Sequence, residues 1–234
     1  MFVEFLGLPA SGKTTIRTAL TSALAADGSK IVPLEKLDAM DTALPGYIRR
    51  NALPRAIYRL DEFSTKHPEF TRLIDLIGEQ SPSHKALLLS VCARYQILQS
   101  VPGICDYAIT DEGMLHRAIH LMTHHSDNSE SMLDAFCDAM PQTATVILLD
   151  LSAACCIERA TARLSARAKG TQTPVAISRR IKRAHGDMTT LTKRRDLMLR
   201  AAARVDDHGI KVIQADATAP VATTVSKIKA ALSR

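Results

Sequence analysis

Eight residues near the beginning of the chain have the types and the spacing of a phosphate-binding loop. The segment from Gly7 to Thr14 reads GLPASGKT and satisfies the pattern G-x-x-x-x-G-K-[ST] in full. Its two glycines permit a tight turn whose backbone amides converge on phosphate oxygens, and a following helix would direct its positive end at them. In such a loop Lys13 would bridge the β and γ phosphates, and the Thr14 hydroxyl would coordinate Mg²⁺. We therefore expect ATP and Mg²⁺ as cofactors, held by Gly7, Pro9, Ala10, Ser11, Gly12, Lys13, Thr14 and Thr15.

Carboxylates at the ends of predicted strands are candidates for metal binding and proton transfer. Asp111 and Glu112 directly follow the predicted strand Tyr107–Thr110, so they reach the carboxyl edge of the sheet beside the loop. There Asp111 could hold Mg²⁺ together with Thr14, or accept a proton from the phosphoryl acceptor. Glu35 lies at the end of the second predicted strand and is a rival base. The sequence leaves open which carboxylate is the base.

Three arginines recur at four-residue intervals in the second half of the chain. Arg159, Arg163 and Arg167 would lie along nearly one face of a helix that ends in a loop of sequence GTQTP. Guanidinium groups on such a segment could neutralise the charge of a phosphoryl group in transfer, and closure of the segment would exclude water. The alternative is a solvated basic helix face.

Five short apolar segments are predicted to be the strands that position these residues. Helical patterns separate consecutive segments, so the sheet should be parallel, with helices on both faces. We therefore expect a three-layer α/β/α fold with a five-stranded parallel sheet. The predicted strands are Phe2–Leu6, Lys30–Leu34, Tyr107–Thr110, Thr145–Asp150 and Ile210–Gln214.

Helical patterns cover most of the remaining chain. A helix from Thr14 to Ala26 should follow the phosphate-binding loop, and Pro174 is predicted to begin one long helix that reaches Val205. Prolines divide the region of about residues 46–100 into several helices, where we expect the substrate to bind. The prediction is a single domain, residues 1–234, with a lid at about residues 159–175.

Composition favours a cytoplasmic protein. With 46% hydrophobic residues among 234, the chain can bury a substantial core, yet its apolar stretches are far shorter than the ~20 residues of a membrane helix. The phosphate-binding loop begins so early that a cleavable targeting peptide would have to include it. Five cysteines without a Cys-x-x-Cys pair suit reduced thiols.

Positive charge is concentrated in one segment. Residues 159–200 hold twelve Lys and Arg against Asp187 and Asp196, a local charge of +10 within a chain of net charge +6. A basic patch can serve nucleic acid, a membrane surface or a polyphosphate ligand. Aromatic residues make up only 4% of the chain and do not alternate with these cations, which disfavours single-stranded nucleic acid as a partner. We expect a solvated face that extends the positive field of the lid.

The motifs together resemble the nucleoside and nucleotide monophosphate kinase superfamily, and their order is most similar to thymidylate kinases and deoxynucleoside kinases. The resemblance rests on GLPASGKTT, on DEG followed by Arg117, on the arginine-rich segment after VILLD, and on VIQADATAP before the last helix. It implies a P-loop kinase fold whose arginine-rich segment is a helical lid. It also implies adenine contacts at Ala217 and Thr218, a catalytic carboxylate at Glu35, a substrate-binding arginine at Arg117 and a base-reading glutamine at Gln96, for which a helix-surface position is the alternative. DEG replaces the Asp-Arg-Tyr sequence of thymidylate kinases, a departure that argues against their substrate.

A small-molecule kinase is the function that these features favour. The acceptor would be a nucleoside, a nucleotide or a sugar-like hydroxyl compound, and four arginines suggest a cationic substrate pocket: Arg49, Arg50, Arg55 and Arg59. Antibiotic and zeta-toxin-like phosphotransferases share the scaffold and stay open, as does a non-catalytic, regulatory nucleotide-binding protein that contacts a polyanion. A signalling GTPase is disfavoured, because the chain has no Asn-Lys-x-Asp or Thr-Lys-x-Asp element.

Two further expectations concern metals and assembly. His116, His120 and His124 recur at helical spacing and could bind a transition metal, although packing or substrate polarity is the preferred role for these rings. The resemblance also implies a homodimer.

Overall fold

Within the described residues, five parallel strands form the central sheet. The computed structural model describes residues 1–42, 44, 52–79, 81–123, 129–142, 144–168 and 173–233. The strand order is β2-β3-β1-β4-β5, and every neighbouring pair runs parallel, which confirms the predicted five-stranded parallel sheet. The strands are β1 (Phe2–Leu6), β2 (Ile31–Pro33), β3 (Tyr107–Thr110), β4 (Ala144–Asp150) and β5 (Lys211–Asp216).

The register of the central strands places the candidate residues side by side. Val3 of β1 lies opposite Ile109 of β3 on one side and Thr145 of β4 on the other. The loops that leave β1 and β3 therefore emerge next to each other at the carboxyl edge of the sheet, where α/β proteins bind ligands. Strand β2 is shorter than predicted because a 3₁₀ turn, Leu34–Lys36, begins where the strand was expected to end.

Helices connect the strands and cover the sheet. Several of them begin at a proline, because the amide hydrogen that proline lacks would have no partner in the first turn of a helix. None of the helices in the described residues is long and apolar enough to cross a membrane. They are α1 (Lys13–Ala26), α2 (Leu37–Met40), α3 (Ala52–Lys66), α4 (Pro68–Gly78), α5 (Pro82–Ser100), α6 (Met114–Thr123), α7 (Ser129–Asp138), α8 (Ala153–Ala168), α9 (Pro174–His185), α10 (Met188–Asp207) and α11 (Val221–Leu232).

The prediction of one long helix from Pro174 to Val205 is wrong. Gly186 has φ of 92°, in the left-handed region that ends helices, and its amide donates to the carbonyl of Lys182. Asp187 then caps the next helix, because its carboxylate accepts a hydrogen bond of 3.0 Å from the amide of Thr190. The region from Pro174 to Val205 therefore contains two helices, α9 and α10.

Side chains alternate between two apolar layers, as expected for a parallel sheet covered on both faces. Phe2 and Leu6 of β1 face a large cluster shared with α4, α5, α6 and α10. Val3 and Phe5 face a smaller cluster formed with α1 and α11. Both layers exclude water from β1, whose five residues are all buried. The predicted three-layer α/β/α arrangement is thus confirmed.

Candidate active site

The phosphate-binding loop has the backbone geometry that its glycines predict. Gly12 has φ of 101° and occupies the N-cap position of α1, and Ala10 also has a positive φ, 63°. A Cβ atom on Gly7 would lie 2.8 Å from the carbonyl oxygen of Leu149, so the loop approaches β4 too closely for a side chain. Within the loop, Gly7 and Ser11 are buried. The other six residues predicted there to hold the cofactor border a cleft of about 590 Å³: Pro9, Ala10, Gly12, Lys13, Thr14 and Thr15. We call this space the phosphate-loop cleft.

Lys13 lies in this cleft and contacts backbone oxygens. Its Nζ atom donates hydrogen bonds of 2.5 Å to the carbonyl of Gly7 and 2.9 Å to the carbonyl of Leu8. Burial lowers the pKa of Lys13 to about 8, and the carboxylates of Glu112 and Asp111 oppose that shift. An anionic ligand in the cleft would favour the charged form of Lys13, because a nearby opposite charge stabilises the ammonium group.

Asp111 joins β3 to the first turn of α1. The Thr14 hydroxyl donates a hydrogen bond of 2.8 Å to its Oδ2 atom, and Arg17 Nε forms an ion pair with Oδ1, also at 2.8 Å. A hydroxyl and a carboxylate side by side are hard oxygen donors, which suit Mg²⁺. Arg17 was missed from the sequence, although its place one turn after Thr14 is a signal that it faces the same side of the helix.

Glu4 anchors the turn that carries Asp111 and Glu112. It is fully buried in β1, and the backbone amide of Leu115 lies 3.1 Å and 3.3 Å from its two carboxylate oxygens. A Cβ atom on Gly113 would lie 1.8 Å from Glu4 Oε2, which explains a glycine at the third position of DEG. Burial raises the pKa of Glu4 to about 8, although hydrogen bonds from the first amides of α6 favour the ionised form. Glu4 was missed; its one signal is a carboxylate within a five-residue apolar strand.

The arginine-rich helix α8 brings two of its three candidate residues to the cleft. Arg163 borders the cleft, and Arg159 also does so while its guanidinium donates to the carbonyl of Ala217 at 3.1 Å and to that of Ser11 at 3.5 Å. Arg167 does not border it in the structure. Residues 169–172 of the predicted lid lie outside the described residues.

The loop after β5 lies next to Arg159. The amide of Thr218 donates to Asp216 Oδ1 at 2.7 Å, and its hydroxyl donates to the same atom at 2.6 Å, so a side-chain-to-backbone turn orders the loop. This turn presents the carbonyl of Ala217 to Arg159. Ala217 and Thr218 are thereby held close to the phosphate-binding loop.

Arg194, on α10, is a cleft residue that sequence reasoning assigned to a solvated face. It is only 4% exposed and borders the phosphate-loop cleft together with His185 of α9. Burial lowers the pKa of its guanidinium. No periodic signal separates it from its basic neighbours Lys193 and Arg195 in the sequence.

Three other arginines of α10, which are partly or fully exposed, are paired with acidic residues rather than solvated alone. Their partners lie in α7 and at the end of β4, so much of the positive field expected from this helix is neutralised. The bidentate pairs are Arg195 with Asp150 at 2.7 Å and 2.8 Å, Arg200 with Asp134 at 3.0 Å and 2.6 Å, and Arg204 with Asp138 at 2.7 Å and 2.7 Å.

A second pocket adjoins the phosphate-loop cleft. It has a volume of about 330 Å³, and Asp111 and Glu112 border both spaces. Glu35 and Arg117 line this second pocket, and Arg117 forms an ion pair with Glu112. We call it the β3-edge pocket. Its remaining walls come from α1, α5 and the ends of β2 and β3: Arg17, Leu34, Leu87, Ser90, Val91, Arg94 and Thr110.

Other substrate candidates lie elsewhere. Gln96 is fully buried in α5, where its amide donates to Ser100 Oγ at 2.7 Å, so the expectation of a surface position is wrong and the side chain does not border the β3-edge pocket. Arg55 is half-buried and also absent from the walls of both spaces in the described residues. Arg49 and Arg50 lie outside the described residues.

Arg59 does not contribute to a cationic pocket. It is 2% exposed and holds the buried Asp41 with two hydrogen bonds, of 2.8 Å and 2.6 Å, while its third nitrogen contacts Glu62. Its charge is therefore neutralised within the protein, and the predicted pocket of four arginines loses this member.

Histidines line part of the phosphate-loop cleft. His116 and His120 of α6 both border it, and burial lowers the pKa of His116 well below its usual range, with Lys13 and Arg117 adding to the effect. In the described ranges no three His, Cys, Asp or Glu side chains are grouped as metal ligands. The third member of the predicted histidine series, His124, lies outside those ranges.

Comparisons with known proteins find similarity at the level of structure. No family model and no curated protein matches the sequence. A structure of deoxyadenosine kinase from M. mycoides with bound dATP is 14% identical, with a TM-score of 0.54 and complete coverage of both chains. A second structure of that enzyme, with the products dCMP and a flexible dCDP, is 16% identical, with a TM-score of 0.51 and coverage of 100% of this chain and 99% of the other. This chain therefore has the P-loop kinase fold seen in those deoxyadenosine kinases.

Proposed function

We propose that the protein is an ATP- and Mg²⁺-dependent kinase that transfers the γ-phosphate to the hydroxyl group of a small molecule, with nucleosides as the first class to test. The observation that carries this proposal is the pair of adjoining spaces that share Asp111 and Glu112. One space contains the phosphate-binding loop, and the other contains the carboxylate of Glu35, which forms no ion pair within the described ranges. A donor and an acceptor in these two spaces would meet at a shared acidic wall.

Binding of the donor would use groups already gathered around the phosphate-loop cleft. Loop amides and Lys13 would contact the phosphates, with Lys13 leaving the carbonyls of Gly7 and Leu8. Arg159 and Arg163 would stabilise the transferred charge. Thr14 and Asp111 would hold Mg²⁺, which supplies charge neutralisation when bound. The adenine would lie against the loop of Ala217 and Thr218, which Arg159 ties to the phosphate-binding loop.

Glu35 is the better candidate for the base. Asp111 already accepts from Thr14 and pairs with Arg17, and Glu112 pairs with Arg117. Glu35 is exposed in the wall of the β3-edge pocket, where a substrate hydroxyl could reach it. Arg117 would contact the acceptor from the same pocket.

Nucleosides come first because the similar structures are deoxynucleoside kinases, one of which contains dATP and the other dCMP and dCDP. Gln96 does not line the β3-edge pocket. Arg94 takes that role in our proposal, since it lines the pocket and forms an ion pair of 3.0 Å with Asp38, which together offer donors and acceptors. Nucleotides and sugar-like compounds remain acceptors to compare, and the expected homodimer remains a prediction.

Acceptor-dependent ATP consumption tests the proposal. Purified protein is assayed with Mg·ATP against nucleosides, nucleotides, sugars and aminoglycosides, beside Lys13→Ala and Glu35→Gln. We expect at least one acceptor to raise turnover, and both variants to abolish the increase. Lys66→Ala, which removes an exposed lysine of α3, is the matched control and should behave as wild type. If no acceptor raises turnover while polyanions bind in a salt-sensitive manner, the non-catalytic alternative is correct.

A further inference from the structure

Arg194 is a buried cation with no ion-pair partner among the residues that the structure describes. The residue is only 4% exposed, and within the described part of the chain its Nε atom has no hydrogen-bond partner. The next residue shows the contrast, because Arg195 is partly exposed and forms a bidentate pair with Asp150. Buried guanidinium groups are normally paired, because removal of a charge from water is costly.

Arg194 shares the phosphate-loop cleft with other basic side chains. Arg194 lowers the pKa of Lys13, of His116 and of His185, which places it within electrostatic reach of all three. Arg163 acts on His185 in the same direction. These side chains come from α1, α6, α8, α9 and α10, and all of them border the phosphate-loop cleft. The fold thus gathers basic groups around a space whose acidic wall, Asp111 and Glu112, is engaged by Thr14, Arg17 and Arg117.

We propose that Arg194 is a phosphate-binding residue of the phosphate-loop cleft, supplied by α10 rather than by the lid helix α8. Its guanidinium would donate to phosphate oxygens and regain the hydrogen bonds that burial removed. This inference rests on the proposed function, because it requires a nucleotide in the cleft. It adds a cation on a helix that packs against the sheet, so that part of the phosphate site is preformed before any lid closes.

Binding of the non-hydrolysable Mg·AMPPNP, measured by isothermal titration calorimetry, tests the role of Arg194. Arg194→Gln should weaken binding by ~30-fold or more, the range found when one member of a buried charge pair is removed. Arg194→Lys, which keeps the charge and loses the planar fork, should lie between Arg194→Gln and wild type. Arg195→Gln is the matched control, one residue away on the surface, and should bind as wild type. Sodium tripolyphosphate serves as a second probe, and the affinities of wild type, Arg194→Lys and Arg194→Gln for it should decrease in the same order.

Thermal unfolding without ligand separates a phosphate-binding role from a structural one. Because Arg194→Gln removes a buried charge without an ion-pair partner, the ligand-free variant should be at least as stable as wild type. The increase in its unfolding temperature on addition of Mg·AMPPNP should be smaller than that of wild type. Wild-type affinity in Arg194→Gln would overturn the inference and leave the proposed function standing. Failure of wild-type protein to bind Mg·AMPPNP would instead overturn the proposed function. If Arg194→Gln does not fold, Arg194→Lys decides the matter by its affinity alone.

Discussion

Replacement of Glu4 by glutamine should change how the stability of the protein depends on pH. Glu4 is fully buried, and its pKa is raised to about 8 from the 4.5 of an unfolded chain. Between these two values the folded protein keeps a proton on Glu4 that the unfolded chain has lost. The free energy of unfolding contributed by this group is therefore fully present below pH 4.5 and declines as the pH rises towards about 8.

The size of the effect follows from one proton per molecule. Each pH unit well inside this window is worth about 1.4 kcal/mol, so the contribution falls by roughly 2–3 kcal/mol between about pH 5.5 and about pH 7.5. His116 acts in the opposite sense, because its pKa is lowered by burial and its stabilisation is lost on acidification. The difference between wild type and Glu4→Gln cancels the contribution of His116 and isolates that of Glu4.

Urea unfolding at several pH values between about 5.5 and about 8.5 measures this difference. We expect wild type to lose stability relative to Glu4→Gln by about 1.4 kcal/mol per pH unit up to about pH 7.5, and the curve to flatten beyond about pH 8. Glu158→Gln, which changes an exposed glutamate of α8, is the matched control and should show a constant difference. A constant difference for Glu4→Gln as well would refute the assigned burial of a protonated carboxyl group.

Three further substitutions test separate parts of the structure. Gly113→Ala should lower the free energy of unfolding by about 1–3 kcal/mol in urea, because the new methyl group meets the buried carboxyl group of Glu4; unchanged stability would contradict that contact. Arg59→Ala should cost about 3–5 kcal/mol in the same assay, since Asp41 would be left buried without a partner, and a loss under 1 kcal/mol would contradict the buried pair. Arg163→Gln should lower turnover of the identified acceptor by about 100-fold. Arg200→Gln, which changes an exposed arginine of α10, should not lower it; equal turnover in the two variants would show that Arg163 has no role in catalysis.

Local chemistry made the central parts of the fold predictable. The loop GLPASGKT follows a run of apolar residues, and both the strand Phe2–Leu6 and the strand Tyr107–Thr110 have the predicted bounds. These segments are recognisable because turn geometry and burial constrain each residue individually. The same is true of Thr14 and Asp111, which follow adjacent parallel strands and so had to meet at one edge.

Tertiary contacts decided the features that the sequence did not reveal. Arg194 and Arg195 are neighbours of identical type, and only the packing of α10 determines that one is buried in the cleft while the other pairs with Asp150. Asp41 lies eighteen residues from Arg59, so the buried ion pair has no local pattern. The break at Gly186 was missed because basic and apolar residues recur at helical spacing on both sides of it.

A crystal structure with Mg·AMPPNP tests the central claim most directly, namely that the phosphate-loop cleft holds a triphosphate beside the acidic wall of the β3-edge pocket. We expect Lys13 Nζ to leave the carbonyls of Gly7 and Leu8 and to contact phosphate oxygens. Thr14 should ligate the metal, with Asp111 in its coordination shell or one water away. A triphosphate bound elsewhere, or a Lys13 that keeps both carbonyl contacts with the nucleotide in place, would contradict the account.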